Sequence, residues 1–168
     1  MTDERMGDLL WSSIDRLPGN DAGIVFRHYS RPPEAREQLA RRVADIAKRR
    51  GFTLAIAGDT DLAVRLGADL VHNPTELPCP LPFSLAVHNV EEAEAARADG
   101  AALVFVSPIH PTSSHPEVKP LGKPLALRIA KTAGVPAIAL GGMNARKFAG
   151  LRRDGFYGWA GIDAWIRR

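Results

Sequence analysis

At 168 residues the chain is long enough for one well-buried domain, and its 45% apolar and 24% charged residues are ordinary for a globular protein. A formal charge of +3 with a pI near 9.3 is spread along the chain rather than gathered into a basic stripe with aromatics, which argues against nucleic acid as a partner. Cys79 stands alone, so no internal disulfide forms; no run approaches the ~18 apolar residues of a membrane span, and Asp3, Glu4, Arg5, Asp8, Asp15 and Arg16 leave no room for a signal peptide, so a cytoplasmic location follows by default.

Residues 1–7 are too polar for a strand. Leu9, Leu10, Trp11, Ile14 and Leu17 have helical spacing and stop at Pro18-Gly19-Asn20. The short apolar run Gly23 to Phe26 reads as a buried strand closing on Arg27-His28-Tyr29, and Pro32-Pro33 open a helix through Arg50 that Gly51 ends. Phe52 to Ala57 is the next strand, then a helix to Leu66 capped by Gly67, then a brief strand Asp69 to Val71 ending in His72. Four prolines between 74 and 82 exclude a helix there. Phe83 to Val87 is a strand, and Asn89 caps a helix from Val90 to Ala98 with Glu91 and Glu92 where the helix dipole favours them. Strand Ala102 to Val106, a long loop, a helix from about Lys123 to Thr132, strand Pro136 to Leu140, helix Asn144 to Arg153 and strand Phe156 to Trp159 complete the pattern.

Strand and helix alternate about seven times, with every strand short and apolar throughout, which means a parallel sheet covered by helices. None of the strands is half polar, as an open sheet's edges should be, so a TIM-type (β/α)8 barrel is expected, in a single domain over residues 1–168. The length is short for such a barrel, typically ~250 residues. Either the barrel is incomplete or its helices are minimal.

The chemistry is expected at the strand ends. His28, His72, His88, His110 and His115 all lie at or just beyond a carboxyl end, the face where barrel active sites sit. Solvated loop imidazoles are the plain alternative for any one of them. A metal held by His72, His88 and His110 is a further alternative, but no HxH or HxxxH pair occurs and carboxylates are sparse there, so no metal ligand is assigned. The loop 107–122 is polar, proline-stiffened and unusually long for a compact domain unless it binds or covers something. Gly141-Gly142 and Gly158-Trp159-Ala160-Gly161, each ahead of a helix, offer backbone amides to an anion, the place after strands seven and eight where barrels bind phosphate; glycines for tight turns alone would explain one pair. Arg27 can take a pyrophosphate or carboxylate bidentately, or make a surface ion pair. These strand ends are read as one rim of a single site for a phosphorylated ligand.

Gly67-Ala68-Asp69-Leu70-Val71-His72, Val87-His88-Asn89-Val90-Glu91-Glu92-Ala93, Ser107-Pro108-Ile109-His110-Pro111-Thr112 with Pro120-Leu121-Gly122, and Ala139-Leu140-Gly141-Gly142-Met143 resemble the thiamine-phosphate synthase and thiazole tautomerase (TenI-like) barrels over almost the whole chain. Met1-Thr2-Asp3 is similar to the end of the family's first strand, Ile-Thr-Asp. The resemblance implies that most of that strand is missing, that the barrel is incomplete at its N-terminus, and that translation starts upstream. It also implies a transferase of thiamine biosynthesis that joins a pyrimidine pyrophosphate to a thiazole phosphate and releases pyrophosphate. Pyrophosphate would then lie on Arg27, and the thiazole phosphate on Thr112, Ser114, Gly142, Trp159 and Ala160 with Gly141. His88, His110, His115 and Arg27 are the expected catalytic groups.

The chain departs from the family where magnesium would bind. Gln-Leu-Arg-x-Lys reads Val25-Phe26-Arg27-His28-Tyr29, Asn-Asp reads Ala57-Gly58, Gly-Gln-x-Asp reads Asn73-Pro74-Thr75-Glu76, and the lysine after Thr-x-Thr is His115. Mg²⁺ is implied by the resemblance, but its aspartates are absent, and only Asp59, Asp61 or Glu76 remain as substitutes. Two other readings stay open: a histidine-dependent tautomerase acting on a thiazole phosphate, although that branch's usual histidine is Pro108 here, and a non-catalytic barrel that binds a phosphorylated heterocycle. Homo-oligomerisation is left open.

Overall fold

The computed structural model describes residues 1–19, 21–114 and 116–166. They form two compact units, residues 1–83 with the segment from Trp165, and residues 84–164. His115 lies outside the described residues.

The first unit holds a 3₁₀ turn Glu4–Met6, α1 Leu9–Asp15, β1 Gly23–Phe26, α2 Pro33–Arg50, β2 Thr53–Ala57, α3 Thr60–Leu66 and β3 Leu70–His72. Its strands are parallel and pair in chain order, Phe26 against Ile56 and Ala57 against His72. Strands this short, without alternation, must be covered on both faces. Phe26, Ile56 and Val71 are accordingly fully buried.

Local sequence explains the helices. Pro33 has no N–H to leave unsatisfied at the start of α2, Ala40, Val43 and Ala47 turn one stripe inward, and Gly51 ends the helix left-handed at φ 65°. The last carbonyls of α1 are satisfied from a distance. Arg50 donates to Ile14 O (3.1 Å), Asp15 O (3.3 Å) and Leu17 O (3.1 Å).

Met1-Thr2-Asp3 runs alongside β1. Asp3 is extended (φ −155°, ψ 147°), and the Thr2 amide donates to Val25 O at 2.8 Å, as the end of a preceding strand would, although no strand is assigned there. Thr2 Oγ1 accepts the Arg27 amide (3.0 Å) and lies 3.0 Å from His28 Nδ1, a hydrogen bond whose donor is set by the His28 tautomer.

The second unit holds β4 Phe83–Val87, α4 Val90–Ala98, β5 Leu103–Val106, α5 Gly122–Ala133, β6 Ala137–Ala139, α6 Ala145–Arg152, β7 Gly158–Trp159 and α7 Asp163–Ile166. β4, β5, β6 and β7 are also parallel and pair in chain order. Asn89 and Asn144 cap α4 and α6 by accepting the amides of Glu92 (2.7 Å) and Lys147 (2.9 Å). β6 is shorter than expected at its start because Pro136 has no amide to donate, although its carbonyl still accepts from Val104 (3.0 Å). β7 starts two residues later than expected. Among the described residues no helix is long and apolar enough to cross a membrane.

The Thr2 hydroxyl is the partner of a strand-end amide, so Thr2→Val is expected to strand the Arg27 N–H and to cost about 1–3 kcal/mol, with Thr2→Ser much milder. Urea unfolding checks this: the midpoint should fall with the slope unchanged.

Candidate active site

At the carboxyl ends of β1 and β2 the sequence brings together Arg27, His28, Tyr29, Arg36, Asp59 and His72. Arg36, from the first turns of α2, is only 8% exposed. It donates from Nη1 to Asp59 Oδ2 (2.9 Å), from Nη2 to Ala57 O (2.7 Å) and from Nε to Arg27 O (3.3 Å). Asp59 is occupied twice, since its Oδ1 caps α3 by accepting the Leu62 amide (2.9 Å).

Arg27 follows β1 directly and is half-buried, and among the described residues no carboxylate lies at ion-pair distance from it. Its guanidinium carbon lies 5.7 Å from the Tyr29 ring centroid and that of Arg36 5.9 Å, with the ring itself half exposed. His28 is buried in the left-handed region (φ 40°) and stacks on Phe26 at 5.0 Å. Burial pushes its imidazole below the usual range. His72, the last residue of β3, is pushed to about 4 by burial and then by the charge of Arg27. Both rings are pushed towards their neutral forms, and Arg27 has no carboxylate at ion-pair distance among the described residues.

The second unit brings another set together. The loop after β5 is closed at its neck, where Leu121 N donates to Pro108 O (2.8 Å) and Gly122 N to Ile109 O (3.2 Å). Its first turn lies against the diglycine turn after β6: Ile109 N donates to Leu140 O (2.9 Å) and His110 N to Gly141 O (3.1 Å). Gly141 (φ 91°) and Gly142 (φ 59°) are required here. A Cβ on Gly141 would sit 2.6 Å from Pro108 Cα, and one on Gly142 would run into the Pro111 carbonyl.

The amides of Gly141, Gly142 and Met143 donate to no acceptor among the described residues. Lys147, in the first turn of α6, donates from Nζ to Gly142 O at 2.6 Å. Burial, then the charge of Lys147, pushes the half-exposed His110 imidazole down. A turn of unspent amides with an ammonium at its rim and a neutral imidazole beside it can hold a phosphate and move a proton.

The other expected residues are placed differently. Thr112 Oγ1 accepts the Ser114 amide (3.4 Å), and Ser113 donates to Asp163, which ties the loop to α7. The Ala160 amide is taken by Ala139 O (2.9 Å), so it is committed to the sheet, and Trp159 is half-buried. His88 is exposed and turned onto α4: Glu92 Oε2 lies 2.8 Å from its Nδ1 and accepts its amide at 2.7 Å. Burial pushes the Glu92 carboxyl up, but the bonds from the His88 ring and amide outweigh it and hold it below the usual range. The diglycine turn is thus joined by His110, whereas His88 belongs to a separate helix-cap pair.

The residues do not fit magnesium. Both Asp59 oxygens are engaged, Asp61 and Glu76 are exposed, and no group of three or more His, Cys, Asp or Glu among the described residues could hold an ion.

Short, buried parallel strands covered by helices, with an arginine and buried imidazoles at strand ends in the first unit and a diglycine turn after β6 in the second, define an α/β protein of β/α units. The thiamine monophosphate synthase family model matches residues 81–165. The putative thiamine-phosphate synthase 2 of Aquifex aeolicus is 31% identical over 138 residues, which cover 77% of this chain and 74% of that protein. The thiamine-phosphate synthase of Geobacillus kaustophilus is 32% identical over 142 residues, 74% of this chain and 64% of that one. The solved thiamine phosphate pyrophosphorylase of Pyrococcus furiosus shares the fold, with a TM-score of 0.85 at 20% identity over 99% of this chain and 85% of that chain. The chain belongs to the thiamine-phosphate synthase family.

His72 makes the stability depend on pH. Its folded value near 4 lies below the ordinary 6.5, so between those values the unfolded chain binds the extra proton. Stability should therefore fall as pH drops from about 6.5 towards 4, by up to about 3 kcal/mol. His72→Gln is expected to flatten most of that slope in pH-dependent urea unfolding and to leave the steeper loss below pH 4.5, where carboxylates protonate, in place.

Proposed function

We propose that this chain serves thiamine biosynthesis as a transferase of the thiamine-phosphate synthase type, joining a pyrimidine pyrophosphate to a thiazole phosphate with release of pyrophosphate. The thiazole phosphate is assigned to the turn Gly141-Gly142-Met143, and the departing pyrophosphate to Arg27. One observation carries this reading: three successive amides without acceptors among the described residues, the first two at positions where only glycine fits, beside the ammonium of Lys147. Such a turn supplies hydrogen bonds already aimed before the ligand arrives, which lowers the reorganisation that binding costs.

Negative charge grows on the pyrophosphate as it leaves, and the unpaired Arg27 guanidinium supplies two parallel donors for it. No step of this reading passes through magnesium, because Asp59 is already engaged. Thr112 and Ser114 supply hydroxyls from the loop after β5.

The position of His110 favours a second reading, a thiazole phosphate tautomerase. Its imidazole, held neutral near pH 7, adjoins the proposed phosphate turn and needs no metal to exchange a proton. His110→Asn is expected to abolish isomerisation of a thiazole phosphate if that reading holds, and to leave pyrophosphate release largely intact if the synthase reading holds.

Calorimetric titration with thiazole phosphate tests the assignment of the turn. Lys147→Ala removes one charge-assisted bond and is expected to weaken binding roughly 10- to 100-fold. Gly142→Ala should weaken it at least as much, because the methyl group displaces the loop. Unchanged affinity in both variants would refute the placement.

A further inference from the structure

Three carboxylates around the ends of β1 and β2 are engaged by the protein, whereas Asp61, in the first turn of α3, is exposed. Asp3 holds Arg5 at 2.7 Å, Glu4 accepts the amide and hydroxyl of Ser30 at 3.0 and 3.1 Å, and Asp59 divides its two oxygens between Arg36 and the α3 cap. A magnesium ion needs open carboxylate oxygens and a negative surrounding. At this end Asp59 has both oxygens engaged, His28 and His72 are buried, and Arg27 has no carboxylate at ion-pair distance among the described residues.

Arg36 is the device that produces this. Its three bonds hold the Arg27 carbonyl, the Ala57 carbonyl and Asp59 in one frame, so it fixes the backbone of Arg27 while occupying the carboxylate closest to a metal site's needs. Tyr29, within 6 Å of both guanidinium groups, flanks the pair and keeps part of its ring in solvent. A half-buried cation with no carboxylate partner is set to exchange water for the oxygens of a phosphate.

We propose that the carboxyl ends of β1 and β2 form a metal-free pyrophosphate site, in which Arg27 takes the anion and the Arg36–Asp59 pair, locked behind it, positions Arg27 and closes the site to divalent cations. Arg27 touches the anion, whereas Arg36 and Asp59 act through it. This inference rests on the reading that places pyrophosphate on Arg27.

Calorimetric titration of the full chain with inorganic pyrophosphate, once in EDTA and once in millimolar Mg²⁺, tests it. The expected result is binding in EDTA at least as tight as in Mg²⁺. Arg27→Ala should weaken it tenfold or more in EDTA, and Arg27→Lys should lose part of it, because an ammonium cannot make the two parallel bonds. Asp59→Asn is the discriminating variant: asparagine still caps α3 through Oδ1, so the fold should persist by circular dichroism, but its Nδ2 cannot accept from Arg36, and pyrophosphate binding in EDTA should weaken severalfold as Arg27 loses its positioning. A tenfold gain from Mg²⁺ that Asp59→Asn abolishes would overturn the inference and leave the placement on Arg27 standing. Equal binding by wild type and Arg27→Ala in both buffers would overturn the placement itself. No binding of pyrophosphate by the wild type in either buffer would overturn both.

Discussion

A buried guanidinium governs one end of the molecule. Arg36 is removed from water on α2, and a charge in that position is tolerated only when its donors are paired. The carbonyls of Arg27 and Ala57 and the carboxylate of Asp59 do this, and in doing so they tie α2 to the ends of β1 and β2 and to the first turn of α3. The pair is close to electrically neutral. The arginine beside it is not, and that difference gives the strand ends their character. Among the described residues no carboxylate lies at ion-pair distance from Arg27, and burial followed by its charge pushes His72 down.

In the second unit the main chain, rather than a buried side chain, sets the local arrangement. The neck of the loop after β5 passes so close to the turn after β6 that only glycine fits at 141 and 142. Loop and turn hold each other through main-chain bonds, and the adjacent amides are left without protein partners. A rigid cluster of amide dipoles suits a phosphate better than a mobile side chain does, and Lys147 adds a full charge at its edge.

Much of this was legible in the chain. The boundaries of α2, α3 and α4 fall within a residue or so of those expected, because their signals are local: Pro33 inside the start, Gly51 and Gly67 just past the end, Asn89 at the cap. The run 107–122 reads as a binding or covering loop from its prolines and hydroxyls alone, and the structure sets its first turn against Gly141-Gly142, where two glycines are required. Lys147 carried a weak signal, a lysine in the first turn of a helix, where the dipole disfavours it. Arg36 carried none, since the chain has many helical arginines and nothing in their spacing says which one is buried.

What the sequence determined by itself is the order of parallel strands and helices, because apolar runs, prolines, glycines and cap residues act over a few neighbours and need no partner far away. Only the tertiary structure decided which polar groups are spent and which are free. Arg36, 23 positions away, donates to Asp59, Glu92 pairs with His88, and Ala139 O takes the Ala160 amide, and no local pattern announced any of these partners. A charge or an amide is defined chemically by what it faces, and facing is settled by packing.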